Sequence, residues 1–396
     1  MNELTRKLGV LITVVRQYVK NIRLYLKTKK TNGSSENSVF FDLTDRRVEP
    51  YYYILIRSFY EANYTIYLNH SFLFIGSLAS SGHHLFELDT LCIKTAFSKK
   101  IDSSCWLVSD QLNTHTKHSF AKVLHVNFDV YSPKPSLNCF TLPYTMSPGQ
   151  YIGDYHKKLS PLRDSIKTMK IFFSGNQDPK AYNHQIFQNF FKKLNRIEAL
   201  DHLKNNLNKN EILIITQSKD WSVLNFEFQN KFVLNEWQWS PQHSLNLDSR
   251  VKDDLWLETL AKSDFFLAVP GIRMPLCFNI IEAMAVGCIP ITQYPEYFNP
   301  PLEHEINCLV FDSQSDLLHQ VRNALAMPLS DISKMRRNVG QYYDENLSMS
   351  KFPAMINSIE TNALELYINA EEVSMISHQM NLSKREPSAE KKHAIQ

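Results

Sequence analysis

The stretch from Phe265 to Ile291 constrains the fold of this 396-residue chain more than any other part. An apolar run, Phe265–Val269, predicts a buried strand, and a Pro-Gly break then leads into a helix over about 276–286. Gly287 ends that helix, and a second apolar run predicts the next buried strand. A strand–helix–strand unit places the helix N-terminus at the carboxyl end of a parallel strand. The free N–H groups there favour a diphosphate.

The same stretch carries a family resemblance. The run EAMAVGCIPI, Glu282–Ile291, resembles the signature of GT-B glycosyltransferases, usually E-A-M-A-x-G-x-P-V in the C-terminal domain. The preceding PGIRMPLCFNII is more similar to the exostosin-like and related bacterial polysaccharide-synthesis branch. The commonest retaining branch has a second Glu eight residues earlier, where this chain has Met274, so retention or inversion stays open. The close match covers Asp264–Phe311, and a weaker likeness in segment order extends over 40–366.

The resemblance implies an α/β GT-B fold, with two Rossmann-like parallel-sheet domains facing across a cleft, preceded here by an N-terminal amphipathic helix. Apolar runs alternate with amphipathic helices from Val39 onwards, which is typical of βα units and parallel sheets. The predicted segments are a basic helix and linker at 1–38, an acceptor domain at 39–165, a nucleotide-sugar domain at 166–345, a return helix at 346–370 and a disordered tail at 371–396.

The signature helix supplies the first donor-site candidates. In the family, the Glu of the signature accepts hydrogen bonds from ribose hydroxyls, a role that the resemblance gives to Glu282. A carboxylate in an apolar helix is costly without partners, so a structural carboxylate bonded to a neighbouring backbone group or Arg is the alternative. Arg273 and Pro275 form the lip of the helix, where the planar guanidinium suits a diphosphate. Asn279 lies one turn before Glu282 and is a further candidate.

Strand ends in the same half supply the other donor-site candidates. Gly175 and Asn176 follow the first strand of this half, where glycine lets a ligand approach the backbone; a plain β-turn is the alternative. The branch that the chain resembles often has an Asn-Arg pair whose Arg reaches the diphosphate, and this points to Arg196. An Arg paired with an acid on the helix surface is the alternative. Gln217 follows a strand and is a candidate contact of the base.

The first half offers two candidates for a catalytic base. Asp45 and Asp110 each follow a predicted strand, although an Asp in a turn often serves the turn itself. No D-x-D motif stands in a donor-loop context, so no metal is expected. No G-x-G-x-x-G or P-loop pattern is present, so no cofactor is expected beyond the substrate, a UDP- or GDP-sugar.

Charge is concentrated at the N-terminus. Residues 1–30 carry eight Lys and Arg against one Glu, whereas the whole chain has a formal net charge of only +3. The body is therefore net acidic, which argues against nucleic-acid binding. Apolar residues recur at helical spacing from Leu4 to Ile22, which predicts a basic amphipathic helix suited to an anionic membrane surface. A helix packed on the body, or docked to another subunit, is the alternative.

These patterns favour an enzyme. The six cysteines form no C-x-x-C pair and no signal-peptide cleavage site follows the apolar segment, which favours a cytoplasmic location, peripheral to the membrane. The resemblance implies a hexosyltransferase-like glycosyltransferase that moves a sugar from a nucleotide-diphosphate sugar to a hydroxyl of a glycan, polysaccharide or lipid-linked acceptor. A GT-B nucleotide-sugar epimerase and a non-catalytic glycosyltransferase-like scaffold subunit are the alternatives. The sugar, the base, the acceptor and the oligomeric state stay open.

Overall fold

The chain folds into two α/β units. The computed structural model describes residues 3–30, 37–94, 104–111, 120–131, 138–182, 190–223, 230–239 and 248–381. Unit 1 comprises Met1–Leu142 and Met349–Gln396, and unit 2 comprises Pro143–Ser348.

The strands and α-helices of the described residues are numbered in chain order. The strands are β1 (Ser38–Asp42), β2 (Thr65–Asn69), β3 (Leu91–Lys94), β4 (Trp106–Ser109), β5 (Lys122–Asn127), β6 (Cys139–Thr141), β7 (Met169–Asn176), β8 (Ile212–Ile215), β9 (Phe232–Trp237), β10 (Ser263–Ala268), β11 (Ile289–Thr292), β12 (Leu309–Val310) and β13 (Ala363–Tyr367). The helices are α1 (Glu3–Lys27), α2 (Glu49–Glu61), α3 (Phe72–Ile75), α4 (Ser80–His83), α5 (Pro148–Ile152), α6 (Leu159–Arg163), α7 (Pro179–Tyr182), α8 (Arg196–Asn206), α9 (Trp256–Ala261), α10 (Phe278–Ala285), α11 (Gln314–Ala326), α12 (Leu329–Tyr342) and α13 (Phe352–Asn357).

Unit 1 is built on a seven-stranded sheet with the order β3-β2-β1-β4-β5-β13-β6. Every neighbouring pair in it is parallel. The interior strand β1 is buried along its whole length, as expected for a parallel strand covered on both faces. Its carboxyl end leads into a turn at residues 44–48, which holds one of the two predicted catalytic bases.

Unit 2 is built on a six-stranded parallel sheet with the order β12-β11-β10-β7-β9-β8. α10 connects β10 to β11, which pair in parallel with Phe265 opposite Ile289, so the predicted strand–helix–strand unit is confirmed. Gly287 ends α10 with φ +76°, a left-handed conformation that strains any residue with a Cβ. Because all strands run in one direction, the loops after β7, β8, β9 and β10 share one edge of the sheet.

The two parallel-sheet domains predicted from the sequence are confirmed, but their boundary differs. The predicted first domain runs to residue 165, whereas residues 143–165 belong to unit 2. They do so because they pack on that unit: Tyr144 stacks on Phe278 with ring centroids 5.1 Å apart, and Arg163 forms a bidentate ion pair with Asp344.

The predicted single helix over 346–370 is wrong. The segment contains the short helix α13 and then β13, which lies between β5 and β6 in the sheet of unit 1. The strand forms because Leu364 and Leu366 alternate with the half-buried Glu365, a period of two that suits a pleated strand. The polar run between Asn357 and Asn362 ends the helix before that pattern begins.

The predicted disorder from residue 371 is also wrong for its first part. Residues 372–381 are helical, and this helix packs on the rest of unit 1 through a buried carboxylate. Asp129 accepts a hydrogen bond from Asn381 Nδ2 at 2.7 Å, and its other oxygen lies 3.2 Å from His378 Nδ1. The rest of the predicted tail lies outside the described residues.

We expect Leu366→Ala to lower the free energy of unfolding by about 2–5 kcal/mol, because Leu366 is fully buried between Val126 and Phe140 and its truncation leaves a cavity. Leu329→Ala is the matched control, since Leu329 is exposed, and its effect should stay within about 0.5 kcal/mol. Urea denaturation followed by circular dichroism measures both. Equally small effects would contradict the placement of β13 in the sheet.

Candidate functional site

Arg196 is buried at the carboxyl edge of the sheet of unit 2. It is the first residue of α8, whose start is fixed by a capping box: the Asn195 side chain accepts from Glu198 N, and the Glu198 carboxylate accepts from Asn195 N, both at 2.9 Å. Because Cβ vectors tilt towards the helix N-terminus, this start directs Arg196 towards the strand ends. Only 4% of Arg196 is exposed.

The guanidinium of Arg196 joins two loops at that edge. Its Nε donates to Pro270 O after β10 and its Nη1 donates to Asn176 O at the end of β7, each at 3.0 Å. Its Nη2 lies 4.0 Å from Cys277 Sγ, and the carbon at the centre of the guanidinium lies 4.5 Å from the ring centroid of Tyr182. Two of the three nitrogens therefore bond to carbonyls, and the third meets only a weak acceptor.

The charge of Arg196 lacks a carboxylate partner within the part of the chain that the structure describes. Burying an unpaired charge is costly, and buried charges are ordinarily paired. Backbone carbonyls offset part of that cost. An anion at this corner would offset the rest.

Two other predicted donor-site residues lie at the same corner. A Cβ on Gly175 would lie 2.8 Å from Arg196 Nη1, so only glycine lets the guanidinium approach β7 this closely. Asn279 Nδ2 donates to Ser174 O at 3.0 Å, which holds the first turn of α10 beside the end of β7. The cap residue Cys277 offers the first N–H groups of α10 only a sulfur, which is a weak acceptor, so the helix N-terminus keeps donor capacity for an anion.

Asn176 and Gln217 have different surroundings. The Asn176 side chain bonds to the backbone of Trp239, with Nδ2 donating to its O at 2.9 Å and Oδ1 accepting from its N at 2.8 Å. Asn176 therefore ties β7 to the loop after β9. Gln217 is exposed just after β8, and its N–H donates to Asp220. Between these strand ends lies a groove of about 280 Å³, lined by Gln177, Asp201, Lys204, Thr216, Glu236 and Gln238.

Arg273 and Pro275 lie in the loop between β10 and α10, as the sequence indicates. Gly271 N donates to Met274 O at 3.0 Å, which folds this loop back on itself. Pro275 is buried, and Arg273 is half-buried. The loop is thus part of the same sheet edge as Arg196.

Glu282 is bonded on both carboxylate oxygens inside unit 2. Its Oε1 accepts from Ser147 N at 2.9 Å and its Oε2 accepts from Trp256 Nε1 at 2.6 Å, and only 3% of the residue is exposed. Burial raises the pKa of this carboxyl, and the bonds from Ser147 and Trp256 offset part of the rise. The predicted ribose contact stays a prediction: both oxygens keep a free lone-pair site, but only 3% of the residue is exposed.

Asp110 holds a loop of unit 1. Its Oδ2 accepts from Thr44 N at 2.8 Å, Asp45 N at 2.7 Å and Tyr52 Oη at 2.9 Å, and its Oδ1 accepts from Thr44 Oγ1 at 3.0 Å. A carboxylate has about four lone-pair sites, so these four donors leave little capacity to take a proton from a substrate. These contacts argue against Asp110 as the base.

Asp45 is the cap of the 3-10 turn at Arg46–Val48. Its Oδ1 accepts from Arg47 N and Nε at 3.0 Å, and its Oδ2 accepts from Arg47 Nη2 at 2.6 Å. The Arg47 side-chain bonds lower the pKa of the Asp45 carboxyl, which weakens it as a base. The catalytic base therefore stays unassigned.

Sequence reasoning missed the partners of the predicted residues. Tyr182, Pro270 O and Cys277 surround Arg196, and Trp256 and Ser147 bond to Glu282. Pro270 and Asn176 act through their carbonyls, which every residue has, so no residue type signals them. Across the described residues, no group of three or more His, Cys, Asp or Glu side chains is placed to hold a metal ion.

No protein-family model and no curated protein sequence matches the chain. Solved structures do resemble it. HepE of Anabaena in complex with UDP is 11% identical, with a TM-score of 0.42, over 81% of this chain and 99% of that one. A glycosyltransferase from Rickettsia africae is 9% identical, with a TM-score of 0.39, over 83% and 100%. An alpha-glucosyltransferase in complex with UDP and DNA is 13% identical, with a TM-score of 0.38, over 82% and 99%.

Replacing Trp256 by Phe should destabilise the protein in a pH-dependent way. The ordinary pKa of Glu282 is 4.5, and folding raises it. The carboxyl is therefore protonated in both the folded and the unfolded protein well below pH 4.5, and it is ionised in both above its folded pKa. The Trp256 bond favours the ionised form. We therefore expect a loss of about 1.5–3 kcal/mol in the free energy of unfolding at pH 8 and a smaller loss at pH 4, measured by urea denaturation.

Trp221→Phe is the matched control. Trp221 Nε1 donates at 2.9 Å to Ser249 O, an acceptor that does not titrate, so its loss should be the same at both pH values. A Trp256→Phe effect that is equally independent of pH would show that Glu282 does not ionise in this range.

Proposed function

We propose that the chain is a GT-B glycosyltransferase that binds a UDP- or GDP-sugar in unit 2. The observation that carries this proposal is the buried guanidinium of Arg196, which has no carboxylate partner among the described residues and lies beside the weakly capped N-terminus of α10. Both features favour a diphosphate, and they lie at the carboxyl edge of a parallel sheet, where α/β folds bind ligands.

The donor would use three parts of that edge. The diphosphate meets Arg196 and the first N–H groups of α10, with Arg273 and Pro275 in the adjoining loop. The base occupies the groove between the ends of β7, β8 and β9, near Gln217. Arg196 and the helix dipole stabilise the negative charge on the departing nucleoside diphosphate, so the proposed transfer needs no metal ion.

The acceptor is proposed to be a hydroxyl of a glycan, polysaccharide or lipid-linked molecule bound by unit 1. In the reaction, the acceptor oxygen forms a bond to the anomeric carbon, the bond from that carbon to the diphosphate breaks, and the hydroxyl proton passes to a base. The sugar transferred is proposed to be a hexose. The proposed setting is the cytoplasmic face of a membrane, which residues 1–30 contact.

A non-catalytic scaffold is the second candidate. The observation that favours it is that Asp45 and Asp110 are both occupied by structural bonds, while Met274 replaces the second Glu of the retaining signature. A scaffold would bind the nucleotide-sugar and transfer nothing. An epimerase would change the sugar in the absence of any acceptor, which NMR of the nucleotide-sugar with the protein alone would detect.

Thermal unfolding with UDP, GDP, CDP and ADP tests the donor site. We expect one nucleotide to raise the Tm of the wild-type protein, because a ligand that binds only the folded state stabilises it. Arg196→Met removes the charge-assisted bonds and should weaken that nucleotide about 10–100-fold. Arg196→Lys keeps the charge without the fork and should lie between the two.

Arg322→Met is the control, since Arg322 is exposed and pairs with Glu211 away from this corner. Circular dichroism confirms that each variant is folded before titration. A wild-type protein that responds to none of the four nucleotides, or an Arg196→Met variant with unchanged affinity, contradicts the proposed site.

The proposed metal independence predicts that EDTA leaves nucleotide affinity and sugar transfer unchanged. The physical reason is that the fixed cation Arg196 and the α10 dipole neutralise the diphosphate. Isothermal titration of the preferred nucleotide with EDTA, and then with added Mg²⁺ or Mn²⁺, measures this. An affinity that falls with EDTA and returns with a divalent ion would overturn it.

A further inference from the structure

α1 packs on the rest of unit 1 through a face that carries the polar residues Gln17 and Asn21 beside the buried Val14. Asn21 is completely buried, and its Nδ2 donates to Ile75 O at 2.7 Å and Leu78 O at 2.8 Å. Its Oδ1 lies 2.6 Å from His83 Nδ1, and Gln17 Nε2 donates to Leu78 O at 3.0 Å. These directional bonds set the rotation of α1 about its axis, because any turn of the helix would leave buried polar groups unsatisfied.

Many of the apolar residues of α1 consequently point outwards. A helix on a protein surface ordinarily buries its apolar face, whereas α1 buries Val14 but leaves many of its large apolar side chains exposed. The residues at helical spacing, here named the α1 apolar stripe, are each 40–74% exposed: Leu8, Leu11, Ile12, Val15, Val19 and Leu26. Such a contiguous exposed apolar surface marks an interaction site.

The apolar stripe continues onto α3. Phe72 and Leu73 are both exposed large apolar side chains, and they lie in the four-residue helix α3. Tyr18 of α1 packs on Phe72 with ring centroids 4.8 Å apart, so the two elements form one surface. Among the described residues, no helix is long and apolar enough to cross a bilayer.

Four cations run beside the stripe. Arg16, Lys20, Arg23 and Lys27 recur every three or four residues, and together with Val15, Val19 and Leu24 they line a groove of about 550 Å³ between α1 and His83. In the described part of the chain, no carboxylate forms an ion pair with any of the four. Exposed apolar side chains and cationic side chains thus lie next to each other on α1.

We propose, on the membrane setting inferred above and independently of sugar transfer, that this surface docks flat on an anionic phospholipid bilayer. The α1 apolar stripe, with Phe72 and Leu73, enters the boundary between headgroups and acyl chains. The cationic groove receives the phosphates of anionic headgroups.

Charge decides between a bilayer and a second copy of the chain. Two copies joined by this face about a two-fold axis would bring the four cations of each towards the four of the other, which is repulsive. An anionic bilayer instead neutralises them while it covers the apolar stripe. The buried hydrogen bonds of Asn21 hold this surface in a fixed position on unit 1, so docking also fixes the orientation of unit 1 on the membrane.

Co-sedimentation of the full chain with vesicles tests the proposal. Vesicles of phosphatidylcholine alone are compared with vesicles that contain phosphatidylglycerol, at low and high salt. We expect binding to the anionic vesicles that weakens with salt. The triple variant Leu11→Ser, Val15→Ser and Val19→Ser should bind at least about tenfold more weakly, because the stripe no longer gains from insertion. The double variant Phe72→Ser and Leu73→Ser should weaken binding in the same direction.

The quadruple variant Arg16→Glu, Lys20→Glu, Arg23→Glu and Lys27→Glu should also bind at least about tenfold more weakly and lose its salt dependence. Double-variant controls make the same kinds of change on exposed residues of unit 2: Ile166→Ser with Leu329→Ser, and Lys334→Glu with Arg337→Glu. These controls should bind like the wild-type protein.

Three results would overturn the proposal. They are an absence of binding to any vesicle, equal binding to neutral and anionic vesicles, and a wild-type dimer in light scattering that the stripe variant converts to a monomer. The nucleotide response of each variant, measured by thermal unfolding, separates this proposal from the proposed function. A stripe variant that no longer binds vesicles but still binds the nucleotide supports the docking surface, whether or not the wild-type protein transfers a sugar.

Discussion

The candidate site depends on one interaction, the burial of the Arg196 guanidinium among backbone carbonyls. It joins the end of β7 and the loop after β10 to the start of α8, three segments that are distant in sequence. A charge in this position has a large desolvation cost, which carbonyls only partly offset. The corner is therefore suited to an anion. The same burial explains why Gly175 lies at the end of β7, since any Cβ there would meet the guanidinium.

The carboxylates singled out by the sequence mostly serve the fold. Glu282 joins Ser147 and Trp256 to α10, and Asp110 collects four donors around the loop after β1. In both places the strand and helix ends leave N–H groups that need acceptors, and a buried carboxylate is a strong one. The described contacts thus favour an anion at the Arg196 corner of unit 2, and they leave unit 1 without an assigned catalytic base.

In α1, buried hydrogen bonds of polar side chains leave apolar residues exposed. Asn21 and Gln17 bond to the carbonyls at residues 75 and 78, and this direction of packing turns the α1 apolar stripe away from unit 1. Amphipathic spacing alone would have suited either a buried or an exposed stripe. The hydrogen bonds decide between them, and they link the proposed location of the protein to the packing of its first unit.

The sequence by itself determined the local elements: the strand–helix–strand unit from β10 to β11, its end at Gly287, and the alternation that makes both sheets parallel. These depend on periodicity and backbone preference within a few residues, which sequence displays directly. Only the tertiary structure decided that β13 inserts between β5 and β6, that residues 143–165 belong to unit 2, and that Arg196 is buried while Asp45 and Asp110 are occupied. Those outcomes depend on partners far away along the chain, and many of these partners are backbone groups that every residue carries. No local sequence pattern could therefore have predicted them.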